Sequence, residues 1–111
     1  MTRLPATKRG DTWGGFDLTI TEDAVPRDLT GATVRMQLRK QYTDTAATAS
    51  WTTADNSILL FDAVNGVLRI VGRVLNVDPW DYLLDVEITW PDGTVQTVFD
   101  GVMTVYPDVT R

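Results

Sequence analysis

Fifteen aspartates and glutamates are the chain's largest supply of reactive groups, and no histidine or cysteine accompanies them. That absence removes cysteine nucleophiles, disulfide frameworks, zinc ribbons and iron–sulfur sites. It also removes histidine acid–base chemistry and any Ser-His-Asp triad. What carboxylates alone can still build is a hard-cation site or a general acid–base pair. Asp78, Asp81 and Asp85 lie close in sequence, and Asp85 and Glu87 share one strand face. Calcium takes about six to eight oxygens from converging groups, whereas Asp78 and Asp81 beside Pro79 supply only about two or three. Glycoside hydrolysis needs two carboxyls across a cleft, one with a raised pKa, and nothing in the spacing sets up such a pair. Gly14-Gly15 has neither the strand-to-helix setting nor the lysine of a phosphate loop. The expectation is a solvated acidic face with no catalytic residue, no cofactor and no metal, in a protein that is not an enzyme.

The chain's other chemistry is that of contact. Its four tryptophans, Trp13, Trp51, Trp80 and Trp90, all fall at strand ends or turns. There they either plug the ends of the fold or anchor a partner, as Trp and Tyr do at interfaces. Stacking on carbohydrate is a third use. Trp51, Trp80 and Trp90 are therefore the candidate interface residues, together with Arg3 and Arg111 near the termini. Gathering of the tryptophans in one open groove would point to sugar. Their burial, with apolar strands left exposed, would point to assembly.

The elements that must position these side chains are strands. With seventeen threonines and many valines, the chain suits pleated, half-exposed surfaces. Glycine-containing turns recur at Gly14-Gly15, Asp28-Leu29-Thr30-Gly31, Asn65-Gly66, Pro91-Asp92-Gly93 and Asp100-Gly101, a spacing that suggests a sandwich or barrel. Phe16, Leu18 and Ile20 alternate with Asp17, Thr19 and Thr21, the period of a strand with one buried face. Val34, Met36 and Leu38 alternate with Arg35, Gln37 and Arg39; the good helix formers from Ala32 to Gln41 make a helix the rival reading there. Ala46 to Thr53 reads as an edge strand ending at Trp51. Ser57–Phe61 and Val67–Val71 read as strands joined through Asp62-Ala63-Val64-Asn65-Gly66, with Asn-Gly supplying positive φ. Tyr82, Leu84, Val86 and Ile88 face one way, and Thr94 to Phe99 returns antiparallel after the Pro91-Asp92-Gly93 turn. Val102 to Tyr106 continues past Asp100-Gly101, where a bulge is expected. The core is expected to hold Phe16, Leu18, Ile20, Val34, Met36, Leu38, Leu68, Ile70, Tyr82, Leu84, Val86 and Ile88.

Asp78-Pro79-Trp80-Asp81-Tyr82-Leu83-Leu84 carries the spacing of an immunoglobulin-type tyrosine corner. Such sandwiches place a tyrosine at the entry to strand F, two residues before the second core cysteine. Tyr82 takes the corner and Leu84 the cysteine's place, with the tyrosine hydroxyl tied back to nearby backbone. The strand-C tryptophan is replaced by Met36 or Leu38. The whole chain, 1–111, thus reads as one all-β domain, an immunoglobulin-like antiparallel β-sandwich of about seven or eight strands without a disulfide.

A net charge of -5 argues against a nucleic-acid partner, which needs a basic face. The first residues contain no apolar signal segment, and no apolar run approaches the ~20 residues of a membrane span. The expectation is a protein made in the cytosol that stays soluble or joins an assembly, with neither membrane nor nucleic acid as partner. The basic start, Arg3, Lys8 and Arg9, is either an interaction arm or an edge strand.

From Gly10 to Arg111 the chain resembles the small β-sandwich proteins of tailed bacteriophages and prophages. It is similar to the N-terminal domain of the phage baseplate upper protein. The resemblance is carried by Gly10-Asp11-Thr12, by the run from Asp28-Leu29-Thr30-Gly31 through Met36-Gln37-Leu38-Arg39, and by Gly66-Val67-Leu68-Arg69-Ile70. It continues through Tyr82-Leu83-Leu84-Asp85-Val86-Glu87-Ile88-Thr89 and Pro91-Asp92-Gly93-Thr94-Val95. Gly101-Val102-Met103-Thr104-Val105 and Asp108-Val109-Thr110-Arg111 complete it. Each segment alone is a generic strand-turn pattern; their order and spacing carry the likeness. It implies a virion structural component of the tail, baseplate or fibre-attachment region, assembled in the host cytoplasm, with other virion proteins and copies of itself as partners. It brings no catalytic residues. The alternative is a carbohydrate-binding module for host-surface glycan.

Overall fold

Strict alternation of apolar and polar residues decides where the long strands fall. In the computed structural model, which describes residues 2–109, they are β3 (Thr12–Thr19), β6 (Thr33–Arg39), β7 (Ala49–Thr52), β8 (Ile58–Asp62), β9 (Val67–Val74), β10 (Trp80–Thr89) and β11 (Val95–Tyr106). Four two-residue strands complete the set: β1 (Thr2–Arg3), β2 (Thr7–Lys8), β4 (Thr21–Glu22) and β5 (Val25–Pro26). The Ala32–Gln41 stretch is strand rather than helix, because Val34, Met36 and Leu38 all turn into the core while Arg35 stays in solvent.

The architecture is an immunoglobulin-like β-sandwich. One sheet runs β1-β11-β10-β6-β7, with β2 also on β11; the other runs β3-β9-β8. In immunoglobulin terms β3, β9 and β8 are strands B, E and D, and β11, β10, β6 and β7 are G, F, C and C′. The pairing is antiparallel except at the N-terminus, where β1 and β2 run parallel to β11. The basic start is therefore an edge strand in two pieces, broken around Pro5.

The core lies between the sheets. Met36, Leu38, Leu68, Ile70, Tyr82, Val86 and Ile88 are fully buried, and Val34 and Leu84 nearly so. Phe16, Leu18 and Ile20 are only half-buried; among the described residues no strand pairs with the outer side of β3, which carries Phe16 and Leu18. Leu29, Ile58, Leu75, Met103 and Val105 join the core beyond the expected set, and Trp13, Trp51 and Trp90 take the plugging role that was one of the two readings of the tryptophans. The tyrosine corner is present: the Tyr82 ring is fully buried and its hydroxyl donates to the Asp78 carbonyl oxygen. The strand-C tryptophan has moved one strand over, for Trp51 on β7 lies directly across from Met36 on β6.

Three local expectations need correction. Gly14-Gly15, expected as a turn, lies inside β3. The β10–β11 irregularity falls at Val98, where Val86 pairs with Phe99 but Glu87 pairs with Thr97. Gly101 instead allows β1 to approach: a Cβ there would sit 2.6 Å from the Thr2 carbonyl oxygen. The edge strand expected over Ala46–Thr53 spans only Ala49–Thr52. The link from β8 to β9 is a 3-10 turn, Ala63–Asn65, closed by Gly66 at φ 74°, as the Asn-Gly pair implied. A small hairpin, β4–β5, turns through Asp23 and Ala24, both with positive φ and neither a glycine.

Candidate functional site

The structure separates the candidate residues. Trp51 belongs to the core: its ring packs edge-on against Trp13 at 5.5 Å, and its Nε1 donates to the Val71 carbonyl at 3.1 Å. The Arg73 guanidinium covers it at 4.0 Å. Trp90 is also buried, with Nε1 donating to Gln96 Oε1 at 3.2 Å and the Arg27 guanidinium 3.6 Å from the ring. Neither ring offers a face to a partner, so both leave the candidate interface. They seal the sandwich, which also sets aside a single groove built from three tryptophans. Arg111 lies outside the described residues.

Trp80 and Arg3 lie at the same end of the β10–β11 pair but on opposite parities: Trp80 sits opposite Val105, which points inward, and Arg3 bonds Thr104, which points out. Trp80 opens β10 and is 47% exposed; across the pair, β11 ends in Tyr106, 54% exposed. Pro79, Trp80, Asp81, Thr104, Val105 and Tyr106 line a shallow groove at this end. Arg3 on β1 reaches it by donating from Nη1 to the Thr104 hydroxyl at 3.1 Å, and that hydroxyl donates to the Asp81 carboxylate. Lys40, at the end of β6, stands 5.2 Å from the Trp80 ring and 3.3 Å from the Asp78 carboxylate. Alternation along β11 explains the placement. Met103 and Val105 point inward, so Thr104 and Tyr106 point out. Tyr106 is the residue that sequence reasoning missed. The outward parity of Val102, Thr104 and Tyr106 was the available signal.

A buried tyrosine anchors the corner beneath the patch. Tyr82, two residues beyond Trp80, holds the Asp78 carbonyl and so fixes the corner from which Pro79 and Trp80 project. Burial pushes the Tyr82 pKa above its ordinary value of 10.0, the Asp78 carboxylate adds to the rise, and Arg9 opposes it.

The remaining carboxylates are spread out. Glu87 pairs with Arg35 at 2.9 Å and Asp17 with Arg69 at 2.8 Å. The Asp17 carboxyl is held below the usual aspartate range by its hydrogen bonds from Arg69, and the Arg69 pKa is raised in turn. Asp85 lies beside Asp100 and Gln37 across the sheet, on a solvent-facing surface that Tyr42 overhangs. Among the described residues, no three acidic side chains come together in a way that would hold a metal ion.

No family model, curated protein or solved structure matches the chain. What the patch can do follows from its own chemistry. Two exposed aromatic rings, an arginine and a hydrogen-bonded polar network on a sheet end suit a contact surface.

Proposed function

We propose that this chain is a non-enzymatic structural protein of a tailed bacteriophage virion, docking in the tail, baseplate or fibre-attachment region through protein–protein contacts. The observation that carries the reading is the exposed end of the β10–β11 pair, where Trp80 and Tyr106 line one shallow groove and Arg3 bonds Thr104 beside it, while Trp51 and Trp90 are buried in the core. Trp, Tyr and Arg are the residue types that dominate binding energy at protein interfaces. The resemblance of these segments to phage tail proteins is what suggests the location. Other virion proteins and copies of the chain are its partners in this reading. Glycan recognition is the weaker alternative, since two of its three stacking rings are buried and Lys40 stands against the third.

The test replaces the chain in phage-producing cells with a Trp80→Ala/Tyr106→Ala/Arg3→Ala variant. Its incorporation into purified particles is expected to drop at least tenfold while its melting temperature stays close to that of the parent. Unchanged incorporation would overturn the assignment of the patch. Retention of the parent protein by immobilised host glycan, lost in the variant, would favour the alternative.

A further inference from the structure

The sandwich has four edges, and three of them are blunted. β7 has only four residues and runs into a 3-10 turn. β8 carries a register shift between Leu59 and Asp62, and bulges of this kind discourage pairing. β1 and β2 are two-residue pieces around Pro5. β3 differs. It is eight residues long, contains no proline, and carries one charge, Asp17. Its register with β9 holds from Thr12–Val74 to Thr19–Val67, and on its other side no strand pairs with it among the described residues.

That open side leaves apolar surface unfinished. Phe16 and Leu18 alternate as core residues do, yet both stay half-exposed, with the Phe16 ring 5.3 Å from Phe99 across the gap between the sheets. Exposure along β3 is close to symmetric about its centre: Thr12 and Thr19 are exposed, Gly14 and Asp17 are exposed, Gly15 and Phe16 are intermediate, and only the Trp13–Leu18 pair differs, Trp13 being buried and Leu18 intermediate. The kink at Gly15, with φ at 74°, switches which parity faces the core and creates this symmetry.

We propose that β3 is the seam of a two-fold dimer, pairing antiparallel with β3 of a second copy in full register. Thr12 of one copy then meets Thr19 of the other, Trp13 meets Leu18, Gly14 meets Asp17 and Gly15 meets Phe16. Outward positions face outward ones and inward positions face inward ones, as a paired sheet requires. The two Asp17 carboxylates never oppose each other. Each is neutralised by Arg69 and faces Gly14, beside which a Cβ would find no atom within 4 Å. The contact is isologous and closed. It joins two three-stranded sheets into one of six and buries the apolar row at Phe16 and Leu18. The inference goes beyond the proposed phage role and does not depend on it.

Because the chain has no cysteine, an introduced pair reports the register directly. In one copy Thr12 and Thr19 stand about 24 Å apart at about 3.4 Å per residue, far beyond the ~7 Å limit for a disulfide. Oxidation of the purified Thr12→Cys/Thr19→Cys variant is expected to give a covalent dimer, and the single variants Thr12→Cys and Thr19→Cys are expected to stay uncrosslinked. The parent should pass from 12.4 kDa to twice that mass with rising concentration in sedimentation velocity. Leu18→Lys, at a half-exposed edge position, should stay monomeric with an unchanged far-ultraviolet spectrum. A parent that stays monomeric at high concentration would overturn the proposal. So would a Leu18→Lys variant that still dimerises, or crosslinking that is as strong in the single variants.

Discussion

Replacing Tyr82 by Phe removes one oxygen and tests the corner that supports Trp80. The ring stays buried, so the apolar contribution is retained; what is lost is the hydrogen bond to the Asp78 carbonyl. A net hydrogen bond contributes about 1 kcal/mol, and a carbonyl left without a donor raises the loss to about 1–3 kcal/mol. With an unfolding entropy of about 2.1 cal/mol/K per residue over 111 residues, each kcal/mol corresponds to about 4 °C. The melting temperature is therefore expected to fall by about 4–13 °C at pH 7. A second signature lies at alkaline pH. The folded chain holds Tyr82 protonated above its ordinary pKa of 10.0. This contribution is fully present below about pH 10 and is lost as pH rises through the higher folded value. Calorimetric melts from pH 8 to 11 should show a fall in stability for the parent that is shallower in Tyr82→Phe. A variant melting within a degree of the parent, with the same alkaline slope, would refute the tyrosine corner as a stabilising device.

Leu84→Ala, opposite Leu38 in the core, should destabilise by about 2–5 kcal/mol in chemical denaturation. Gly72→Ala should destabilise by about 1–3 kcal/mol or more, because its Cβ would lie 2.3 Å from the Trp13 carbonyl oxygen on fixed backbone. Asp28, Asp55 and Asp92 accept hydrogen bonds from the hydroxyls of Thr30, Ser57 and Thr94 and from their backbone N–H groups, which holds each carboxyl below 3.8. Their contribution is present above about pH 4 and lost as pH falls through the lower folded values. Acid melts should show that loss, and Thr30→Val/Ser57→Ala/Thr94→Val should flatten it. Added calcium should leave the melting temperature unchanged, since the acidic side chains are dispersed; a rise of several degrees, reversed by chelator, would contradict this.

The parts of the fold legible in the sequence are those set by local alternation. β6 and β10 were legible because each buries one face against the same core, β11 was legible apart from its bulge, which falls at Val98, and Tyr82 was legible by its spacing to Leu84. What stayed hidden depends on neighbours brought from far along the chain. Whether Trp51 is an anchor or a core plug is decided by Met36 lying across from it and by Arg73 closing over it. Trp90 is buried because Arg27 folds over its face. Phe16 and Leu18 alternate as fully buried residues do, yet stay half-exposed on a strand that, among the described residues, no other strand pairs with on its outer side. Asp100-Gly101 has the composition of a bulge, yet Gly101 serves the approach of Thr2. The Asp23-Ala24 turn carries no glycine or asparagine to announce its positive φ. Of the candidate site, Trp80 and Arg3 were legible by residue type. The link from Arg3 through Thr104 to Asp81 needed the parallel pairing of β1 with β11.

The most direct test of the docking role is quantitative mass spectrometry of phage particles purified from cells that express this chain. The account predicts that the chain is present in the tail or baseplate fraction in fixed ratio to its neighbours and survives high-salt washing, as an aromatic-anchored contact should. Its absence from intact particles would contradict the account.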